Sequence, residues 1–267
     1  MLGCRSAHPE RVRTAHVHPG RPTVDIPSLG LSFVPDSTPY ATSALTQVHI
    51  KFAHCRTYRD RGVVIGRSWE HDGVSSLAAH RFDTLFIRDR GLRFRYLKED
   101  GRMTYAVWAL GDRIETWSDG FVEVLSASKT SVADVMSNMR GGTGFASWFV
   151  PQLLYGRPTQ CSQGPWYAGW IHCPTCPEVA FRSPSQHTTT VLSLDLRTSV
   201  VRRFYWMRDL SEEDNHAAEQ ADGRITVIGP GERKIDLARV ESLILYEAPE
   251  FDVDESVLVS DLDKRPW

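Results

Sequence analysis

Alternation of period two dominates the middle of the chain. In "RFDTLFIRD", Phe82, Thr84, Phe86 and Arg88 fall on one face. "LRFRYLKED" sets Leu92, Phe94 and Tyr96 against Arg93 and Arg95. "TYAVWAL", "DRIETW" and "FVEVLSA" continue the series, separated by "DRG", "EDG", "LGD" and "SDG". Short strands joined by Gly/Asp turns predict an antiparallel meander. Turns this short leave no room for the crossovers of a parallel sheet.

Just upstream, "CRTYRDRGVVIG" at residues 55–66 predicts the first strand of that sheet. Arg56, Tyr58, Asp60 and Gly62 would share one face, and Cys55, Thr57, Arg59 and Arg61 the other. Asp60 between Arg59 and Arg61 suits an ion-paired sheet edge as well as a site.

Elsewhere the spacing turns helical. Residues 41–54 place Ala44, Leu45, Val48 and Phe52 three and four apart. Residues 127–139 open with Ser/Thr cap candidates and carry Val132, Val135, Met136 and Met139. "RGGTG" at 140–144 breaks that helix and lacks the Lys and Ser/Thr of a phosphate-binding P-loop. "FASWFVPQLLYG" predicts a second short helix, interrupted or restarted at Pro151. Strands then return: Leu192, Leu194 and Leu196 alternate with Ser193, Asp195 and Arg197, and "VVRRFYW", "RITVIG" and "VESLILYEA" follow. The order predicts an α+β protein, a strongly curved sheet with helices grouped on one face. Residues 1–40 read as a disordered leader, 41–250 as one domain and 251–267 as an acidic C-terminal tail.

Composition narrows the function. The 267 residues are 41% hydrophobic, enough for a sizeable core. A formal charge of −2 gives no global basic field, so no nucleic-acid partner is expected. No stretch approaches the roughly 20 apolar residues of a membrane span. The leader lacks an apolar signal core, yet "LGC" at residues 2–4 resembles the end of a bacterial lipoprotein signal. A truncated start would therefore make the protein periplasmic or membrane-anchored; otherwise it is expected in the cytoplasm.

Candidate chemistry is sparse. "HCPTC" at 172–176 offers a Cys-x-x-Cys without the second pair of a structural zinc site, so neither metal nor cofactor is assigned. Cys55, Cys161, Cys173 and Cys176 are disulfide candidates in an oxidising compartment. Scattered histidines at 54, 71, 80, 172, 187 and 216 could pair with Asp60, Asp83 or Glu115 as a hydrolytic base. The aromatics Phe82, Phe86, Phe94, Tyr96, Tyr105, Trp108, Trp117, Trp148 and Phe149 make either plain core or the lining of an apolar cavity.

Several of these segments, in order, form a pattern. Tyr58, Asp60 and Gly62 match a Tyr-x-Asp-x-Gly strand; Phe82, Thr84, Phe86 and Arg88 match an aromatic-Thr-x-Phe-x-Arg strand; Arg93, Phe94, Arg95 and Tyr96 match the next. Thr143 and Gly144, then Val150, Pro151, Leu153 and Leu154, match a Thr-Gly and Val-Pro-x-Leu-Leu segment, and Asp195, Thr198, Arg202 and Arg203 a strand end. So read, residues 45–247 resemble uncharacterised exported bacterial proteins of the outer-membrane lipoprotein-carrier (LolA/LolB-like) fold. The resemblance implies an incomplete antiparallel β-barrel wrapped around helices inserted between the two halves of the sheet. It implies a non-enzymatic cell-envelope protein that binds a lipid, an acyl chain or another apolar ligand in the concavity. Phe86, Phe94, Tyr96, Trp108, Trp117 and Phe149 are the expected lining. Another envelope protein would be a further partner. Two other readings stand beside it: a hydrolase or metal enzyme using a His/Asp pair or the "HCPTC" segment, and an interaction module with a filled barrel and an exposed apolar patch.

Overall fold

The alternating segments build one antiparallel sheet with three helices on its inner face and, contrary to the expectation of helices grouped on one face, a fourth on its outer face. The computed structural model describes residues 31–33, 38–71, 73, 75–118, 120–139, 143–157, 167–171, 178–184, 188–195, 197–210 and 237–267. The strands are β1 (Leu31–Phe33), β2 (Thr57–Glu70), β3 (Ser75–Ile87), β4 (Gly91–Lys98), β5 (Met103–Leu110), β6 (Arg113–Ser118) and β7 (Phe121–Ser126). After two helices come β8 (Tyr167–Ile171), β9 (Glu178–Pro184), β10 (Thr188–Asp195), β11 (Val200–Asp209), β12 (Leu237–Tyr246) and β13 (Glu250–Phe251). The helices are α1 (Thr38–His54), α2 (Val132–Asn138), α3 (Phe149–Leu154) and α4 (Glu255–Leu262).

The sheet order is β1-β8-β9-β10-β11-β12-β2-β3-β4-β5-β6-β7, with β13 added to the start of β2. Among the described residues, β7 and β1 are its two ends and do not pair, so the barrel is incomplete. Long β2 is the spine: Gly62 faces Tyr246 of β12 on one side and Phe82 of β3 on the other. This is the architecture that the resemblance implied, and all the strand pairings are antiparallel.

Alternation sorts the strands cleanly. Tyr58, Val64, Phe82, Phe86, Leu92, Phe94, Tyr96, Val107 and Ile114 point to an inner face, where they meet Val48 and Phe52 of α1, Met136 of α2 and Phe149 and Leu154 of α3. Burying one such large side chain is worth about 1.5–3 kcal/mol. Ser131 caps α2, accepting from the Asp134 amide. Pro151 does not interrupt α3; it occupies the first turn, where backbone N–H groups lack helical partners in any case. The short helices are tied together: Gln152 Nε2 donates to the Ala133 carbonyl at 2.6 Å, and Ser147 Oγ to the Met136 carbonyl at 3.0 Å.

Two expectations about the ends need correction. The segment read as an acidic tail folds into β13 and α4. Asp254 caps α4, and Leu258 and Leu262 bury against Leu85 and Ile87 on the outer face of the sheet. Acidic composition masked this apolar pair at i, i+4. Likewise β1 and the first residues of α1 fall within the stretch read as a leader. The predicted strand "RITVIG" and the "HCPTC" segment lie outside the described residues.

Candidate functional site

The inner face is aromatic and carries polar atoms that the fold leaves unanswered. β2 delivers Tyr58 and Asp60 to this face, and β3 places Thr84 directly opposite Asp60. The Tyr58 hydroxyl donates to Asp60 Oδ2 at 2.7 Å. Asp60 Oδ1 is buried with no hydrogen-bond partner among the described residues, and so is Thr84 Oγ1. The Thr84 hydroxyl thus faces the carboxyl group without closing a bond of normal geometry. Burial raises the Asp60 pKa to about 7, against the opposing pull of the Tyr58 and Thr84 hydroxyls. Burial, then the Asp60 charge, pushes the Tyr58 phenol well above its ordinary value.

A second polar group lies along the same face. Tyr96 is opposite Phe82 on one side and Tyr105 on the other. His80 stacks on Tyr96 at 4.8 Å between ring centroids, and burial lowers its pKa. His80 Nδ1 and the Tyr105 hydroxyl are also buried without a hydrogen-bond partner among the described residues. Around these groups Phe82, Phe94, Phe149 and Phe204 supply apolar wall, with Phe149 and Phe204 rings 4.7 Å apart.

Arg88 joins the helices to this face. Its Nε donates to the Cys55 carbonyl at 2.8 Å, and its Nη2 to the Phe52 carbonyl at 3.1 Å and the Leu154 carbonyl at 3.0 Å. It thus closes the C-terminal ends of α1 and α3, where helix carbonyls lack partners and a cation is favoured. Gly144, at φ +56°, brings the turn before α3 against β12, where Ser242 Oγ donates to the Gly144 carbonyl at 2.6 Å.

The structure divides the six residues expected to line a cavity. Phe86, Phe94, Tyr96 and Phe149 are buried on the inner face. Trp108 and Trp117 are not; register pairs Trp108 with Arg93 and Trp117 with Ala106, all on the outer face. Trp108 is buried there beneath α4, its Nε1 donating to the Leu262 carbonyl at 2.7 Å. Strand β5 is covered on both sides, so its alternation carried no direction. Tyr58, Asp60, Thr84 and Tyr105 were missed as a group, since register alone assembles them.

Other candidates disperse. Cys55 is buried and free among the described residues, its thiol donating to the Phe52 carbonyl; its expected disulfide partners, Cys161, Cys173 and Cys176, lie outside the described residues. Asp60 pairs with Tyr58, Asp83 with Arg95, and Glu115 with Arg113 and Arg265, rather than with a histidine. Among the described residues no cluster of three His, Cys, Asp or Glu could hold a metal ion, and no helix is long and apolar enough to cross a membrane.

No family model matches the chain, and no curated protein matches it. Solved structures similar to it include a LolA superfamily protein from Nitrosomonas europaea, at 10% identity and a TM-score of 0.29, covering 83% of this chain and 98% of its own. A DUF1329 family protein from Desulfovibrio piger is 10% identical, with a TM-score of 0.32, covering 84% of this chain and 99% of its own. A domain from Vibrio parahaemolyticus named for outer membrane lipoprotein sorting is 7% identical, with a TM-score of 0.30, covering 85% and 100%.

Proposed function

We propose that the protein binds an elongated apolar molecule with a polar end, such as a fatty acid or an acyl chain, between the inner face of the sheet and helices α1 to α3. One observation carries this reading: polar atoms of Asp60, Thr84, His80 and Tyr105 are buried without partners, among the described residues, on an otherwise aromatic face. Leaving such a group unpaired costs about 1–3 kcal/mol, whereas an apolar pocket with a few convergent polar groups is the usual form of a small-molecule site. Aromatic wall would take the chain, at about 0.8 kcal/mol per buried CH₂ before ordering costs. The unpaired groups would take the head. Side chains of α2 and α3 occupy this space in the structure, so entry requires these two short helices to swing away. Helices of seven and six residues owe their stability to packing and not to themselves. The sequence resemblance adds the cell envelope as the expected location.

Purified full-length protein should acquire a stoichiometric fatty-acid adduct in native mass spectrometry and bind cis-parinaric acid saturably. Absence of both an adduct and saturable fluorescence sinks the reading.

A second observation favours a protein partner. Edge strand β7 exposes Phe121, Val122 and Val124, with Phe121 82% exposed. An added strand would cover it. Cross-linking through a cysteine placed at Glu123 separates this reading from ligand binding.

A further inference from the structure

The outer face of β2, β3 and β4 carries a pattern that the inner-face reading leaves unused. Register sets the outward residues in three rows: Arg59, Leu85, Arg93; Arg61, Asp83, Arg95; and Val63, Arg81, Leu97. One carboxylate, Asp83, therefore lies at the centre of five arginines. These residues, with Asp60, Gly62, Phe82 and Thr84 between them along β2 and β3, line an open depression of about 460 Å³, rimmed by Leu258 and Asp261 of α4 and by Glu247.

The charges do not cancel within the patch. Asp83 accepts from Arg95 Nε through both oxygens at 2.9 Å and lies 3.9 Å from Arg93. Glu250 accepts two bonds from Arg59. Asp261 gives Arg93 its backbone carbonyl, while its carboxylate lies 3.8 Å from Lys264. Arg61 and Arg81 are left without an ion pair among the described residues, and exposed Glu247 is the remaining carboxylate at the rim. Arg93 is the telling member. Its side chain is 14% exposed, and its Nε is buried with no acceptor among the described residues. Burial and then the neighbouring Arg95 charge depress its pKa. A guanidinium buried among like charges with an idle donor is costly unless something anionic completes it.

We propose that this depression is an anion site that takes a phosphate-bearing ligand. Arg61, Arg81 and Arg93 would supply the free donors, and Asp83 would hold Arg95 and Arg93 in place. Guanidinium forks suit a group with several acceptor oxygens and more than one charge. The volume suits a small phosphorylated molecule or a phospholipid headgroup. The outward arginines lie on the opposite side of the sheet from the inner aromatic wall, and phosphate or vesicle binding is read separately from fatty-acid binding.

Calorimetry with pyrophosphate, and flotation with phosphatidylglycerol/phosphatidylcholine vesicles against pure phosphatidylcholine, test it on the full chain. Both Arg61 and Arg81 are exposed, so R61Q/R81Q should fold like the wild type, as checked by thermal melting. It should bind at least tenfold more weakly, whereas the charge-matched R102Q/R197Q, altered elsewhere on the surface, should bind as the wild type does. Pyrophosphate binding lost in R61Q/R81Q identifies a soluble ligand. Vesicle binding lost in the same variant, without pyrophosphate binding, identifies a lipid headgroup. Equal losses in the two double variants, or no binding of either probe to the wild type, overturn the proposal.

Discussion

Tyr58 and Asp60 sit two residues apart on one face of β2, and the phenol donates to the carboxyl at 2.7 Å. The pair is buried in the aromatic core, with Asp60 5% exposed. Its pKa of about 7 makes stability depend on pH. An unfolded Asp titrates near 3.9, so between about pH 4 and pH 7 the folded state retains a proton that the unfolded state has lost. Stability is therefore highest below about pH 4 as far as this group is concerned, falls as pH rises through 7, and is flat beyond. Asp60→Asn keeps an acceptor for Tyr58 and removes the charge. It should flatten this slope and, at pH 8, stabilise the fold by on the order of 2–4 kcal/mol. Urea melts at pH 5 and pH 8 check both; equal slopes in wild type and variant would contradict the assignment.

Thr84→Val and Tyr105→Phe each delete a buried hydroxyl that has no partner among the described residues. At pH 5, where Asp60 is protonated and the Thr84 hydroxyl has no carboxylate to support, neither should destabilise the empty protein, and each should gain up to about 1 kcal/mol because an unsatisfied group is removed. If the inner face receives a ligand head, at least one should also weaken cis-parinaric acid binding severalfold. Melting curves and the fluorescence titration read these two effects separately.

Arg88 holds three carbonyls from two helix ends and a connecting residue. Arg88→Met removes the donors while keeping part of the aliphatic stem. The loss should be about 2–4 kcal/mol, since buried carbonyls are left unpaired. Arg88→Lys should recover a minor part of it, because one ammonium cannot span the same fork. Chemical denaturation of the three proteins provides the ranking.

A Cβ on Gly62 would lie 2.1 Å from the Leu245 carbonyl oxygen and 2.6 Å from the Phe82 ring. Gly62→Ala should therefore cost about 1–3 kcal/mol by overpacking. Gly66, further along the same strand, has open space where a Cβ would stand, with no atom within 4 Å, and Gly66→Ala should be nearly neutral. Comparing the two melting temperatures isolates crowding from chain entropy.

Much of the sheet could be read directly because β3 and β4 alternate and each strand from β3 to β6 ends in a Gly/Asp turn. Phe82, Phe86 and Phe94 announced one buried face. Trp108 misled because α4 covers the outer face there as well, so an aromatic residue on it no longer marks the inside; Trp117, half-buried, shares that outer face. Helix α4 hid behind the carboxylates of Asp254, Glu255, Asp261 and Asp263, though Asp254 as cap and the Leu258–Leu262 pair were its signal. The arginine pattern was visible as Arg59-x-Arg61, which suited an ion-paired sheet edge as well as a site, and as Arg93-x-Arg95 on one face of a strand. Only the register across three strands surrounds Asp83 with five guanidinium groups, and pairing register is a property of distant segments that no single stretch encodes.

The spine strand β2 has its own kinetic consequence. Its partners β3 and β12 come from opposite ends of the domain, so one whole side of its backbone waits for a strand made almost last. The meander from β2 to β7 can assemble early from local hairpins. Its exposed β2 edge then remains an open template until β12 arrives, and loop closure on that scale is slow. Nascent chains held at the β11 stage should be the aggregation-prone species of this protein, and the ones most dependent on a chaperone.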